Sequence, residues 1–273
     1  MKDFRIPKIN SPQKAIDHIV NWLVDYIDAS NLNGFTVGVS GGVDSALTST
    51  LCALTGYKTL CLEMNIHQEK QQVNRALSHI GWLESNYSNV ESQSVNLTPM
   101  FDSFVEHMSQ YKLSSEHLDL SLANSRSRLR MVTLYYFASA KRYLVVGTGN
   151  KVEDFGVGFF TKYGDGGVDI SPIADLLKSH VYQLASYLGI KKSILQAHPT
   201  DGLWSDHRTD QDQLGVNYDA LEWAMSQSEK SVNQNELSDE KQTILNTYQQ
   251  FHQKNQHKMS PIPICPIPKE IFE

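Results

Sequence analysis

The sequence predicts an α/β fold, a doubly wound parallel sheet flanked by helices, and three observations carry that prediction. Short apolar runs of strand character alternate with longer helical segments from residue 11 to residue 146. The first such run (Phe35, Val37, Val39) passes directly into Ser40-Gly41-Gly42-Val43-Asp44-Ser45 and then into a helix-like stretch over 46–54. A later run over 143–146 likewise ends on a glycine turn, Gly147-Thr148-Gly149. In doubly wound sheets ligands lie beyond the C-terminal strand ends, where both turns would meet.

Taken in order, Ser11-Pro12 opens a helix in the favoured cap-then-proline sequence, with Ile16, Ile19, Val20, Leu23 and Ile27 on its apolar face. After the first turn and its helix, 58–64 reads as a second strand and 69–80 as a second helix. A third strand is expected over 90–97, then a helix opening at Thr98-Pro99. A long helix over 119–141 leads into the strand at 143–146. Beyond residue 150 the pattern loosens. Residues 155–167, rich in glycine and aromatics, are expected to loop over a site, and 176–188 to form a helix ended by Gly189. Residues 198–212 read as a polar loop, 226–242 as a polar, mobile segment, and the tail carries Pro261, Pro263, Pro266 and Pro268.

Composition narrows the function. A chain of 273 residues can bury a substantial core, and nothing in it marks a domain boundary or an internal repeat, so 1–273 is read as a single domain. The net charge of −6, without a basic block, argues against nucleic acid as a partner. No apolar run approaches a membrane span and the N-terminus lacks a signal-peptide core, so a cytoplasmic enzyme is expected. Cys52, Cys61 and Cys265 are widely separated; the first two read as core thiols, and none sits in a zinc, redox or nucleophile context.

Three strings carry chemistry. In Gly38-Val39-Ser40-Gly41-Gly42-Val43-Asp44-Ser45 the glycines let the backbone approach an anion, and the following helix points its positive dipole end at the same place. Asp44 suits a hard cation such as Mg²⁺. No lysine follows the second glycine, so this is not a Walker loop; the bland reading is an ordinary strand-to-helix turn. The second string, Gly147-Thr148-Gly149-Asn150-Lys151-Val152-Glu153, brings Thr148 and Glu153 toward the same crevice, or is a turn with a surface glutamate. The third, Phe159-Phe160-Thr161-Lys162-Tyr163-Gly164-Asp165-Gly166-Gly167-Val168-Asp169, fits a ligand-facing loop and, taken alone, a surface turn equally well.

Together and in this order the strings resemble the NAD synthetase family, in its ammonia-dependent, synthetase-only form, over residues 11–260. The resemblance implies an adenine nucleotide alpha hydrolase-like (PP-loop) fold, a homodimer, and conversion of deamido-NAD to NAD with ATP, Mg²⁺ and ammonia, without a glutaminase domain. It implies an ATP loop over 38–45, ATP contacts from Thr148, Lys178 and Thr200, and Mg²⁺ ligation by Asp44 and Glu153. For deamido-NAD it implies Arg128, Lys162, Asp169, His257 and Lys258, and for catalysis Asp165, suspected of helping ammonia, with Lys178. On residue pattern alone, Arg126, Arg128 and Arg130 fit a solvated helix face, and His257-Lys258 exposed tail residues.

The chain departs from the family form in three places. One extra residue lies between Glu153 and Lys162, which makes Asp154 a competitor for the ligand position. The family's Thr-Asp-His is here Thr148-Gly149-Asn150. The segment Glu63-Met64-Asn65-Ile66-His67-Gln68 lacks a customary arginine, leaving Gln68 to reach the nucleotide. The expected chemistry is attack of the nicotinate carboxylate on the α-phosphorus of ATP, release of pyrophosphate, then attack of ammonia on the acyl-adenylate with loss of AMP. The alternatives are another PP-loop adenylating amidotransferase and a non-catalytic ATP-binding protein.

Overall fold

The computed structural model describes residues 4, 6–113, 117–204, 208–230 and 237–272. Four parallel strands form the sheet in the order β3-β2-β1-β4: β1 (Gly34–Gly38), β2 (Lys58–Asn65), β3 (Val90–Asn96) and β4 (Leu144–Val146). A parallel bridge from Val146 to Ile170 continues it at the β4 edge. Side-chain alternation along β1 and β2 feeds opposite faces, the expected period of two for strands covered on both sides. Phe35 and Val37 pack with helices α1 (Pro12–Ser30), α2 (Val43–Leu54) and α6 (Lys178–Tyr187). Leu60, Leu62 and Met64 pack on the other face, against α4 (Thr98–Ser109) and α5 (Leu118–Lys141). Helix α3 (Lys70–Asn86) closes beside α2 over Cys61 and Ala53. Cys52 and Cys61 are core thiols, as expected, and Cys265 is exposed.

C-terminal to the sheet, α7 (Lys192–Leu195) and α8 (Asp210–Leu214) are short, followed by α9 (Tyr218–Glu229) and α10 (Asp239–Met259). A second apolar cluster joins Leu221, Ala224, Leu245 and Tyr248 of α9 and α10 to Val152 and Val157. Several expectations are corrected here. Residues 226–229 and 239–242, read as mobile, lie in α9 and α10, because a few apolar residues per helix suffice when two helices face each other; residues 231–236 lie outside the described residues. The segment 198–212, read as all loop, starts a helix at Asp210, whose side chain is buried (205–207 lie outside the described residues). Residues 155–157 end a π-helix, Lys151–Val157, rather than opening a loop. Ser11 precedes α1 without a side-chain capping bond, so proline geometry alone marks that start.

Candidate active site

A cleft of about 240 Å³ opens at the C-terminal ends of β1, β2 and β4, and all of residues 38–45 line it. Gly41 has φ +84°, and a Cβ there would lie 2.5 Å from the Gln72 carbonyl oxygen, so both conformation and the close approach of α3 demand glycine. No side chain caps α2 at Gly42, which leaves its first turn available to an anion in the cleft. The loop's own hydroxyls hold it in shape: Ser45 Oγ accepts from the Ser40 N–H at 3.1 Å and donates to the Gly42 carbonyl at 3.1 Å.

At the floor, Lys178 Nζ donates to Asp44 Oδ2 at 2.6 Å and to Glu153 Oε1 at 2.8 Å. Burial works against this ammonium, but the two carboxylates outweigh it and hold the lysine pKa above its ordinary value. Asn150, fully buried, donates Nδ2–H to Asp44 Oδ1 at 3.0 Å and accepts from the Glu153 N–H at 3.2 Å. The asparagine of Thr148-Gly149-Asn150 thus orients one carboxylate and caps the turn that presents the other. The chain winds as a π-helix over Lys151–Val157, and Glu153 within it pairs with Lys178. Asp154 takes a different place. Its carboxyl lies against Gly149, where a Cβ would overlap it, and burial followed by the charges of Asp165, Glu153 and Asp44 raises its pKa well above the usual range.

Thr148, Lys178, Thr200, Asp165 and Gln68 also line the cleft. Thr200 Oγ1 donates to the Arg208 carbonyl at 3.1 Å, closing the loop that holds it. Asp165 Oδ1 accepts from Ser127 Oγ at 2.6 Å and the Thr161 N–H at 3.0 Å, so a helix and a turn fix this exposed carboxylate. Glu63 is buried, accepts from its cross-strand partner Ser94 at 2.5 Å and does not line the cleft.

The residues implied for deamido-NAD stand apart from this cleft. Arg128 is exposed and donates to the Lys162 carbonyl at 3.3 Å; Lys162 Nζ donates to the His257 carbonyl at 2.7 Å. Lys258 Nζ donates to the Phe160 carbonyl at 2.7 Å and lines a smaller neighbouring cavity of about 120 Å³ with Asp154 and Asp165. Asp169 accepts from Tyr135 Oη at 2.9 Å and the Val145 N–H at 2.8 Å, binding its segment to β4.

Sequence reasoning missed several lining residues. Of the three α5 arginines it is Arg130 that enters the cleft, where Nε donates to the Met64 carbonyl at 3.1 Å and burial lowers its pKa to about 10. Arg75, from α3, donates to the Gly41 carbonyl at 3.3 Å. Asp210 lines the cleft and is bridged to Glu153 by Tyr218. Burial, then the Glu153 charge, pushes the Asp210 carboxyl up to about 7. Alternate-position arginines could have nominated Arg130 on helical geometry; Arg75, Asp210 and Tyr218 carry no local signal.

The donor set suits a divalent cation. Among the described residues no group of three or more His, Cys, Asp or Glu side chains converges, but Mg²⁺ commonly takes one or two carboxylates and completes its coordination with phosphates. Asp44 and Glu153, bridged by one ammonium, offer that pair.

Comparison with known proteins shows the family. The family model described as NAD synthase matches residues 15–262. An NH(3)-dependent NAD(+) synthetase of Carboxydothermus hydrogenoformans is 34% identical over 261 residues, covering 95% of this chain and 99% of the relative. Among solved structures, an NMN synthetase from Francisella tularensis superposes with TM-score 0.80 at 30% identity, over 94% of this chain and 99% of that one. An NH3-dependent NAD synthetase from Campylobacter jejuni gives TM-score 0.75 at 25% identity, over 94% and 100%. The chain belongs to the NAD synthase family.

Proposed function

We propose that this protein is a C–N bond-forming ligase that amidates deamido-NAD to NAD with ATP and ammonia, through an acyl-adenylate, releasing AMP and pyrophosphate. The observation that carries the proposal is the Asp44–Lys178–Glu153 centre at the floor of the glycine loop. That loop and the first turn of α2 would hold the departing pyrophosphate, with Lys178 meeting its growing negative charge. Asp44 and Glu153 would hold Mg²⁺, which supplies charge neutralisation on the phosphates when bound. Thr148 and Thr200 would contact ATP, and Arg130, which also lines the cleft, would add a second cation. Asp165, clipped to Ser127, would take the proton of ammonium before the nitrogen attacks. Arg128, Lys162, Asp169, His257 and Lys258 would receive the rest of the dinucleotide at the rim. We read residues 1–273 as one synthetase domain and the protein as a cytoplasmic homodimer. Met100, Phe104, Met108, Leu118, Leu120 and Tyr136, exposed on α4 and α5, are the surface we assign to the second copy. No helix among the described residues is long and apolar enough to cross a membrane.

The similarity to the NMN synthetase supports a second reading, in which the acceptor is the mononucleotide, nicotinic acid mononucleotide. One assay separates the readings. Each acceptor is offered with ATP and Mg²⁺ in the presence of ammonium, glutamine or neither. NAD, AMP and pyrophosphate formed together with ammonium, and scarcely with glutamine, are the expected result. Faster turnover of the mononucleotide selects the second reading, and intact ATP with both acceptors ends both.

A further inference from the structure

We propose that Tyr218 and Asp210 are positioning residues that hold Glu153 in place for a divalent cation and tie that centre to the loop carrying Thr200. The inference rests on the assignment of Asp44 and Glu153 as the cation's ligands. Glu153 Oε1 receives two donors, Lys178 Nζ at 2.8 Å and Tyr218 Oη at 2.5 Å. The Tyr218 ring also lies under the Lys178 ammonium, 4.8 Å from centroid to Nζ, so one side chain touches both the carboxylate and its cation. Behind it, Tyr218 Oη is 2.7 Å from Asp210 Oδ2. Asp210 is 5% exposed, and its Oδ1 has no partner among the described residues, although the residue lines the cleft. A buried polar atom left unmatched calls for a functional reason.

Both residues sit on fixed supports. Asn217 caps α9 by accepting from the Ala220 N–H at 2.9 Å, and Tyr218 is the first residue of that helix. Glu222, one turn on, accepts from Ser179 N–H and Oγ–H, each at 2.7 Å, which locks α9 to the start of α6 beside Lys178. The Asp210 N–H donates to the Pro199 carbonyl at 3.1 Å, next to Thr200. Among the described residues Lys178 is the one cation paired with Asp44 and Glu153, so an arriving divalent cation must share or displace it. Glu153 then needs an anchor that does not move with the lysine. Tyr218 supplies it, and Mg²⁺, which tolerates little departure from octahedral geometry, is sensitive to such orientation.

The test measures Mn²⁺ binding by electron paramagnetic resonance with a non-hydrolysable ATP analogue, without acceptor or ammonia, on the full chain. Tyr218→Phe, which keeps the ring, is expected to weaken Mn²⁺ about 10-fold, the range for residues that orient metal ligands. Asp210→Asn should shift it in the same direction by less, and the double variant no further than Tyr218→Phe, since the two act in series. In turnover assays the half-saturating Mg²⁺ should rise more than the rate at saturating Mg²⁺ falls. A Tyr218→Phe protein that melts normally and binds Mn²⁺ within about twofold of wild type overturns the inference, given the tenfold expectation. A merely structural role would give that same Mn²⁺ affinity with a lowered melting temperature, and overturns it equally. Should Tyr218→Phe fail to fold, Asp210→Asn decides on an unchanged or a weakened affinity. Wild-type protein that binds no Mn²⁺ would instead remove the ligand assignment itself, a distinguishable failure.

Discussion

The cleft floor and the proposed acceptor rim differ in how their charged groups are matched. At the floor, Asp44, Glu153 and Lys178 meet side chain to side chain, drawn from α2, the π-helix and α6, the lysine buried and the carboxylates half-buried. At the rim, the cations of Arg128, Lys162 and Lys258 rest on backbone carbonyls of Lys162, His257 and Phe160. A charge matched by a charge in a buried place is costly to disturb. One resting on a carbonyl near solvent is free to be recruited by a ligand. Under the proposed function the floor would be a preformed phosphate and cation site, and the rim a set of contacts that an acceptor would rearrange.

The largest expected effect breaks the floor. Lys178→Met leaves two half-buried carboxylates without their buried cation, and denaturant unfolding at neutral pH should show a loss of about 2–4 kcal/mol. Asp44→Ala should lower the pyrophosphate release rate by about 10²–10³-fold with the fold retained by circular dichroism. Turnover near the wild-type rate would remove its proposed metal role. Gly41→Ala places a Cβ against Gln72 at positive φ, and a melting curve should report a loss of about 1–3 kcal/mol together with a weaker KM for ATP. At the rim the effects should be smaller and confined to the acceptor. Lys162→Ala is expected to raise the acceptor KM by about 10-fold or less and leave the ATP KM alone. Equal changes in both constants would erase the distinction between the regions.

The smallest effect is a pH slope. The Asp210 carboxyl, raised by burial to about 7, binds more protons folded than unfolded between its ordinary value and that pH. Its contribution to stability is therefore complete below the ordinary carboxylate pKa and is lost as pH rises toward neutrality. Thermal melts of Asp210→Asn should fall less steeply over that window than those of wild type. Identical slopes would show that Asp210 is not the group responsible.

Much of the fold was legible because its signals are local. Strand runs at 35–39, 58–64 and 143–146, proline-led helix starts at Pro12 and Pro99, and glycines after strands all report on a few adjacent residues. The C-terminal third was less so. Helices α9 and α10 bury narrow apolar stripes against each other and the π-helix, and a polar composition hides such a stripe.

By itself the sequence determined the parallel α/β class, the glycine loop with Asp44 after a strand, and a second post-strand turn carrying Thr148 and Glu153, while Lys178 is implied only by the family resemblance. Those depend on residue type and short spacing, which neighbouring residues in the chain already encode. Only the tertiary structure decided that Glu153 and not Asp154 joins Lys178, that Arg130 and not Arg128 enters the cleft, and that Asp210 and Tyr218 stand behind Glu153. Each of those outcomes turns on helix phase, where a single residue rotates a side chain by about 100°, or on contacts between elements far apart in sequence.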